Sequence, residues 1–220
     1  MIHFIFGIHN HQPAGNFGYV IEEAFEKAYI PFIETLKRHP GIRVAVHFSG
    51  ILYDWMEEFK PEYEAALKSM IKAGQVEIIG GGYYEPILAV LPHRDQRGQL
   101  SFMNGRINEK FGKTPKGVWL AERVWEPQLV GALSESGAEY TLLDDIHFLS
   151  SGFFPEELSG YFITEFEGSA VKVFPIDQKL RYHIPFSDPE KVIEYLRVLN
   201  EIIKIPIQKN KPAAPSTRFR

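Results

Sequence analysis

The sequence predicts an α/β chain in which helices cover a parallel sheet, and three observations carry that prediction. Short apolar, β-branched runs alternate with longer segments of helical period. Glycine or proline punctuates most junctions between them. Polar residues gather just behind the apolar runs, where a parallel sheet presents the C-terminal ends of its strands.

Taken in order, Ile2 to Ile8 reads as a buried strand ending in His9-Asn10-His11-Gln12. Residues 20–38 are helical, with Ile21, Phe25, Tyr29, Phe32, Ile33 and Leu36 on one face. Pro31 must kink or divide that helix, because it lacks an N–H and crowds the preceding turn. Arg43 to Phe48 is a second strand. Pro61 suits the first turn of a helix carrying Leu67, Met70 and Ile71, and Gly74 stops it. Val76 to Ile79 is a third strand, followed by Gly80-Gly81-Gly82. Asp95 is placed to cap a helix with Leu100, Met103, Ile107 and Phe111 inward, closed by Gly112. Gly117 to Leu120 is a fourth strand, and Pro127 opens a short helix ended by Gly137. Tyr140 to Leu143 is a fifth, ending at Asp144-Asp145, and Val171 to Phe174 a sixth. Asp188-Pro189 caps a helix carrying Val192, Ile193 and Leu196. Residues 205–220 combine prolines with basic residues and hold no acid or apolar period, so a disordered end is expected.

Composition narrows the function classes. The chain has 220 residues, enough to bury one sizeable core, and 45% are hydrophobic. It has no cysteine, which excludes disulfides and thiolate metal sites and fits a reducing compartment. Its net charge of −4 gives no general attraction for nucleic acid or an anionic membrane. No apolar run is long enough to span a bilayer, and the first residues lack the basic start of a signal peptide. A cytoplasmic location is therefore expected.

Three clusters carry candidate chemistry. In Trp119-Leu120-Ala121-Glu122-Arg123-Val124-Trp125 a strand gives way to a turn. Arg123 favours an ionised Glu122, which is the state of a carboxylate nucleophile, and the two tryptophans offer a wall to a sugar ring. The competing reading is a buried Glu-Arg ion pair among core tryptophans. In His9-Asn10-His11-Gln12-Pro13, positions 9 and 11 of an extended segment point the same way. Two such imidazoles suit hydroxyl recognition or, with His47 and Asp144-Asp145, a divalent metal. As a spacing this is weak, and one core histidine beside one pocket histidine explains it equally. In Gly74-Gln75-Val76-Glu77 through Gly82-Tyr83-Tyr84-Glu85, the glycines permit close backbone approach. Glu77 is costly to bury without a partner, and Glu85 suits binding of hydroxyls. Phosphate-loop and GxSxG patterns are absent.

These segments resemble glycoside hydrolase family 57. The match lies in His11-Gln12-Pro13, in Gly74-Gln75-Val76-Glu77 with the glycines after it, and in Trp119 through Trp125. With His47-Phe48-Ser49-Gly50, Tyr84-Glu85-Pro86 and Phe174-Pro175-Ile176-Asp177, the run looks most like 4-α-glucanotransferases and α-amylases. The resemblance covers residues 1–199 and implies a (β/α)7-type barrel, here incomplete with about six strands. It implies Glu122 as the nucleophile of a retaining enzyme acting on α-1,4-glucans or maltooligosaccharides. It further implies substrate contacts from His9, His11, Glu77, Glu85, Trp119, Trp125 and Asp145, with no cofactor and no metal.

The family's acid/base aspartate belongs to a His-Asp-Asp-Gly-Glu-like run expected just past residues 189–199. Here the chain reads Asn200-Glu201-Ile202-Ile203-Lys204 and passes into a divergent basic tail over 200–220. No acid/base is expected in this chain, through a stop, a frameshift or a cut. Activity should then be weak or absent, because general-acid help contributes about 10²–10⁴-fold. Unpaired strand edges predict self-association. Two rivals remain in view: a metal-dependent carbohydrate deacetylase on a related barrel, and a non-catalytic glucan-binding remnant using Trp119, Trp125 and Tyr84.

Overall fold

A computed structural model describes residues 2–204 and 218–219. The strands are β1 (Gly7–Asn10), β2 (Val44–Phe48), β3 (Val76–Gly81), β4 (Gly117–Trp119), β5 (Tyr140–Asp144), β6 (Phe162–Phe166), β7 (Ser169–Ile176) and the short β8 (Arg218–Phe219). The helices are α1 (Gly18–Ala24), α2 (Ile30–Arg38), α3 (Gly50–Phe59), α4 (Pro61–Lys72), α5 (His93–Phe111), α6 (Leu129–Glu135), α7 (Asp145–Ser150), α8 (Gln178–His183) and α9 (Pro189–Lys204).

The sheet order is β1-β2-β3-β4-β5-β7-β6-β8, and only β6 with β7 is antiparallel. From β1 to β5 the chain steps across the sheet in one direction. Parallel crossovers are right-handed, so a one-way order stacks every crossover helix on the same face, as in a barrel. Strand alternation shows that face: Val44, Val46 and Phe48 of β2, Val76 and Ile78 of β3, Leu143 of β5 and Val171 and Val173 of β7 are all buried. They join two apolar cores, one with Leu52, Met56, Leu67 and Met103, the other with Leu129, Val130, Leu133 and Phe148. The opposite face carries His9, His47, Glu77, Trp119, Tyr140 and Asp144 and is more polar. Among the described residues no pairing joins β1 to the far edge, so the sheet is not closed.

The α/β class and the parallel sheet are as expected, and several details differ. The first strand begins only at Gly7 and carries His9 and Asn10 within it. Pro31 does divide its helix: a π-helical turn, Phe25–Tyr29, precedes α2 and places Pro31 in the first turn. Asp95 is not the cap of α5. The helix starts at His93 behind Pro92, and Asp95 pairs with Arg94 in the first turn.

The count of about six strands missed β6. Its hairpin with β7 turns at Glu167 and Gly168, both at positive φ (50° and 83°), as a type I′ turn requires. Glutamate stands where asparagine or aspartate would have announced that turn. Helix α9 runs through Lys204, five residues into the segment expected as tail. Of the rest of that tail, only residues 218–219 are described.

Candidate active site

Strands β1 and β2 run in register with His9 beside His47, so both rings leave the sheet on one face. Their Nδ1 atoms lie 2.9 Å apart. His11 stacks beyond His9 at 6.0 Å between centroids. Glu85 enters this imidazole cluster from the loop after β3, at φ 51°. Its side chain is 5% exposed, and Oε1 lies 3.5 Å from His9 Nε2 and 3.7 Å from His47 Nδ1. Its Oε2 contacts His11 Nδ1. Gly81 makes the space: a Cβ there would meet His47 Nε2 at 2.7 Å and the Trp119 carbonyl at 3.0 Å.

Burial sets the charge of the cluster. It lowers His9 to about 4, with His11 and Arg123 adding to the shift. It holds fully buried His47 well below its ordinary value. It lowers His11 also, against the pull of the Glu122 charge. The rings are therefore mainly neutral at pH 7.

Glu122 sits just past the C-terminal end of β4 on a sharp turn. Glu122 and Arg123 both adopt left-handed backbone, φ 52° and 55°. Such residues cost about 1–3 kcal/mol each and need surroundings that hold them. The turn sends the Glu122 side chain outward, 77% exposed, and folds Arg123 back to 13% exposure. Arg123 Nε donates to Asp144 Oδ2 at 3.0 Å, and its guanidinium lies 5.6 Å from the Trp119 ring. Arg181 holds the other oxygen of Asp144 at 3.1 Å. The Glu-Arg pair weighed from sequence is thus long and not buried. Arg123 Nη2 stays 3.9 Å from Glu122.

The expected site residues do not all converge. His9, His11, Glu85 and Trp119 do, with Glu122 at the rim. Trp119 stacks on His9 at 4.6 Å, so its ring backs an imidazole. Trp125 packs against the second apolar core. Asp145 heads α7 and accepts the Gln178 amide at 3.2 Å, on the β5–β7 side. Glu77 departs furthest. It pairs in register with Ala45, nearer the N-terminal end of the sheet than His47, and is exposed. Its partner is the Tyr140 hydroxyl, at 2.6 Å, from the N-terminal end of β5. Gly117 makes room for that tyrosine, since a Cβ there would lie 2.3 Å from its ring.

Sequence reasoning missed Arg181, which braces Asp144, and Tyr195, which donates to Asp177 at 3.0 Å. Helix α8 has six residues, too few to show a period, so Arg181 gave no signal.

The description of glycosyl hydrolase family 57 matches residues 5–212. The chain belongs to glycosyl hydrolase family 57. Over 198 residues it is 52% identical to an alpha-amylase of Pyrococcus abyssi and to a 4-alpha-glucanotransferase of Thermococcus litoralis. Those matches cover 90% of this chain and 30% of each relative, so the chain spans under a third of their length. The crystal structure of the Thermococcus litoralis 4-alpha-glucanotransferase superposes with a TM-score of 0.87, covering 90% of this chain and 31% of that one. A putative polysaccharide deacetylase from Mycobacterium smegmatis superposes at 0.59 with 18% identity, covering 86% and 64%, which is likeness of fold alone. The deacetylase alternative is accordingly not favoured for this family 57 chain. Among the described residues no helix is long and apolar enough to cross a membrane.

Proposed function

We propose that this chain carries the nucleophile half of a retaining α-1,4-glucan site, of 4-α-glucanotransferase or α-amylase type, with Glu122 as nucleophile. One observation supports this above others. In a chain 52% identical to both kinds of enzyme, Glu122 is an accessible carboxylate at a strand's C-terminal end, within the electrostatic reach of His11. Glu122 attacks the anomeric carbon, the glycosidic oxygen departs with a proton from an acid, and water or a sugar hydroxyl then takes the glycosyl group. His9, His11 and Glu85 suit the hydroxyls of the ring being cleaved. Trp119 holds His9 in place.

We assign no acid/base among the described residues. Retaining chemistry needs a second carboxyl about 5–5.5 Å from the nucleophile. Both oxygens of Asp144 already accept guanidinium hydrogen bonds, from Arg123 and Arg181. Chromatography of products from maltooligosaccharides, with Glu122→Ala as control, tests the reading. Ladders of longer and shorter chains mean transfer, and simple shortening means hydrolysis. Turnover that survives Glu122→Ala overturns the assignment.

A further inference from the structure

The cluster of His9, His11 and Glu85 has a second chemistry that glucan recognition does not use. The Glu85 carboxylate is 5% exposed, and neither of its oxygens has a hydrogen bond of acceptable geometry. Its charged or chargeable neighbours among the described residues are three imidazoles, with no lysine or arginine within ion-pairing distance. A carboxylate so placed is costly to bury unless a positive charge meets it.

The donor atoms converge as metal ligands do. One ligand atom from each of His9, His11 and Glu85 fits within a span of 4.8 Å. In a tetrahedral zinc site, bonds of about 2.0–2.2 Å set neighbouring ligand atoms about 3.3 Å apart. His9 Nε2 and Glu85 Oε1 stand at 3.5 Å. The two imidazole nitrogens and one carboxylate oxygen form the donor set of a zinc centre that keeps a fourth position open. His47 Nδ1, 2.9 Å from His9 Nδ1, fixes the His9 ring from behind, as an outer partner of a ligating histidine does.

We propose that His9, His11 and Glu85 bind one divalent transition cation of the zinc class, with the fourth position facing the open side of the sheet. The cation neutralises Glu85 and occupies the three groups offered to a sugar ring, so metal and glucan compete. The proposal is independent of the role of Glu122, and its test reads metal binding, not turnover.

The test is calorimetric titration of chelator-stripped protein with Zn²⁺, paired with the visible absorption of added Co²⁺. The whole chain should bind one equivalent, and Co²⁺ should show four-coordinate absorption. Glu85→Gln and His11→Ala should each weaken binding at least tenfold. His93→Ala, which removes a surface histidine 3.8 Å from Glu135, should leave it unchanged. His11 is 41% exposed, so His11→Ala keeps the test intact if Glu85→Gln does not fold. Absence of saturable binding, equal binding in the wild type and His11→Ala, or loss of binding in His93→Ala each overturns the proposal.

Discussion

Arg123 commits its guanidinium to Asp144, at 3.0 Å, and stands 3.9 Å from Glu122, the residue next to it in the chain. The arginine thus holds the left-handed turn from behind and leaves the Glu122 carboxylate facing outward. Strands β4 and β5 are neighbours in the sheet, so this contact ties the Glu122 turn to the adjoining strand end.

Removing one partner of that contact should be costly. Asp144 is 23% exposed and holds two guanidinium groups. Hydrogen bonds to charged groups are worth about 1.5–3 kcal/mol. Asp144→Ala should lower the unfolding free energy by about 2 kcal/mol in urea. Arg181→Ala, at a more exposed position, should cost less than about 1 kcal/mol. Equal losses would mean that the Arg181 contact carries the stabilisation and the Arg123 contact adds none.

Gly81 is a packing requirement of the site. Gly81→Ala puts a methyl group 2.7 Å from His47 Nε2, inside a fully buried ring's space. Overpacking of this kind costs about 1–3 kcal/mol. Thermal unfolding should show it. An unchanged midpoint would mean that β2 and β3 separate at no cost.

Tyr195 links α9 to the end of β7 through Asp177. Burial, and then the Asp177 charge, pushes its hydroxyl up to about 12. The folded value is raised above the unfolded value of about 10. Its contribution to stability is therefore complete below pH 10 and is lost as pH rises towards 12. Other buried tyrosines act in the same sense, so the informative comparison is with Tyr195→Phe. That variant should lose stability less steeply between pH 10 and 12 in denaturant titrations. Parallel curves would place Tyr195 outside the linkage.

Much of this was legible because it depends on period and punctuation. Pro61, Gly74, Gly112 and Gly137 bound their helices as read, since a first-turn proline and a left-handed glycine act locally. His9 and His11 were legible as a pair through strand alternation, and Glu85 through its place behind the glycine run. The position of Glu77 was not legible, because adjacency in sequence to that run says nothing of height along the sheet. Register with Ala45 fixes that height, and register is a property of the neighbouring strand. The Arg123–Asp144–Arg181 contacts join residues 21 and 37 positions apart, which no local pattern encodes. Glu167 at an I′ position hid β6 in the same way.

The central claim is that Glu122 is the nucleophile, and a fluorinated α-glucosyl fluoride tests it most directly. Fluoride departs without help from an acid, so the attack step is read alone. Intact mass and peptide mapping after incubation should show one glycosyl adduct, on Glu122, absent from Glu122→Gln. An adduct on another carboxylate, or none at saturating reagent, would contradict the account.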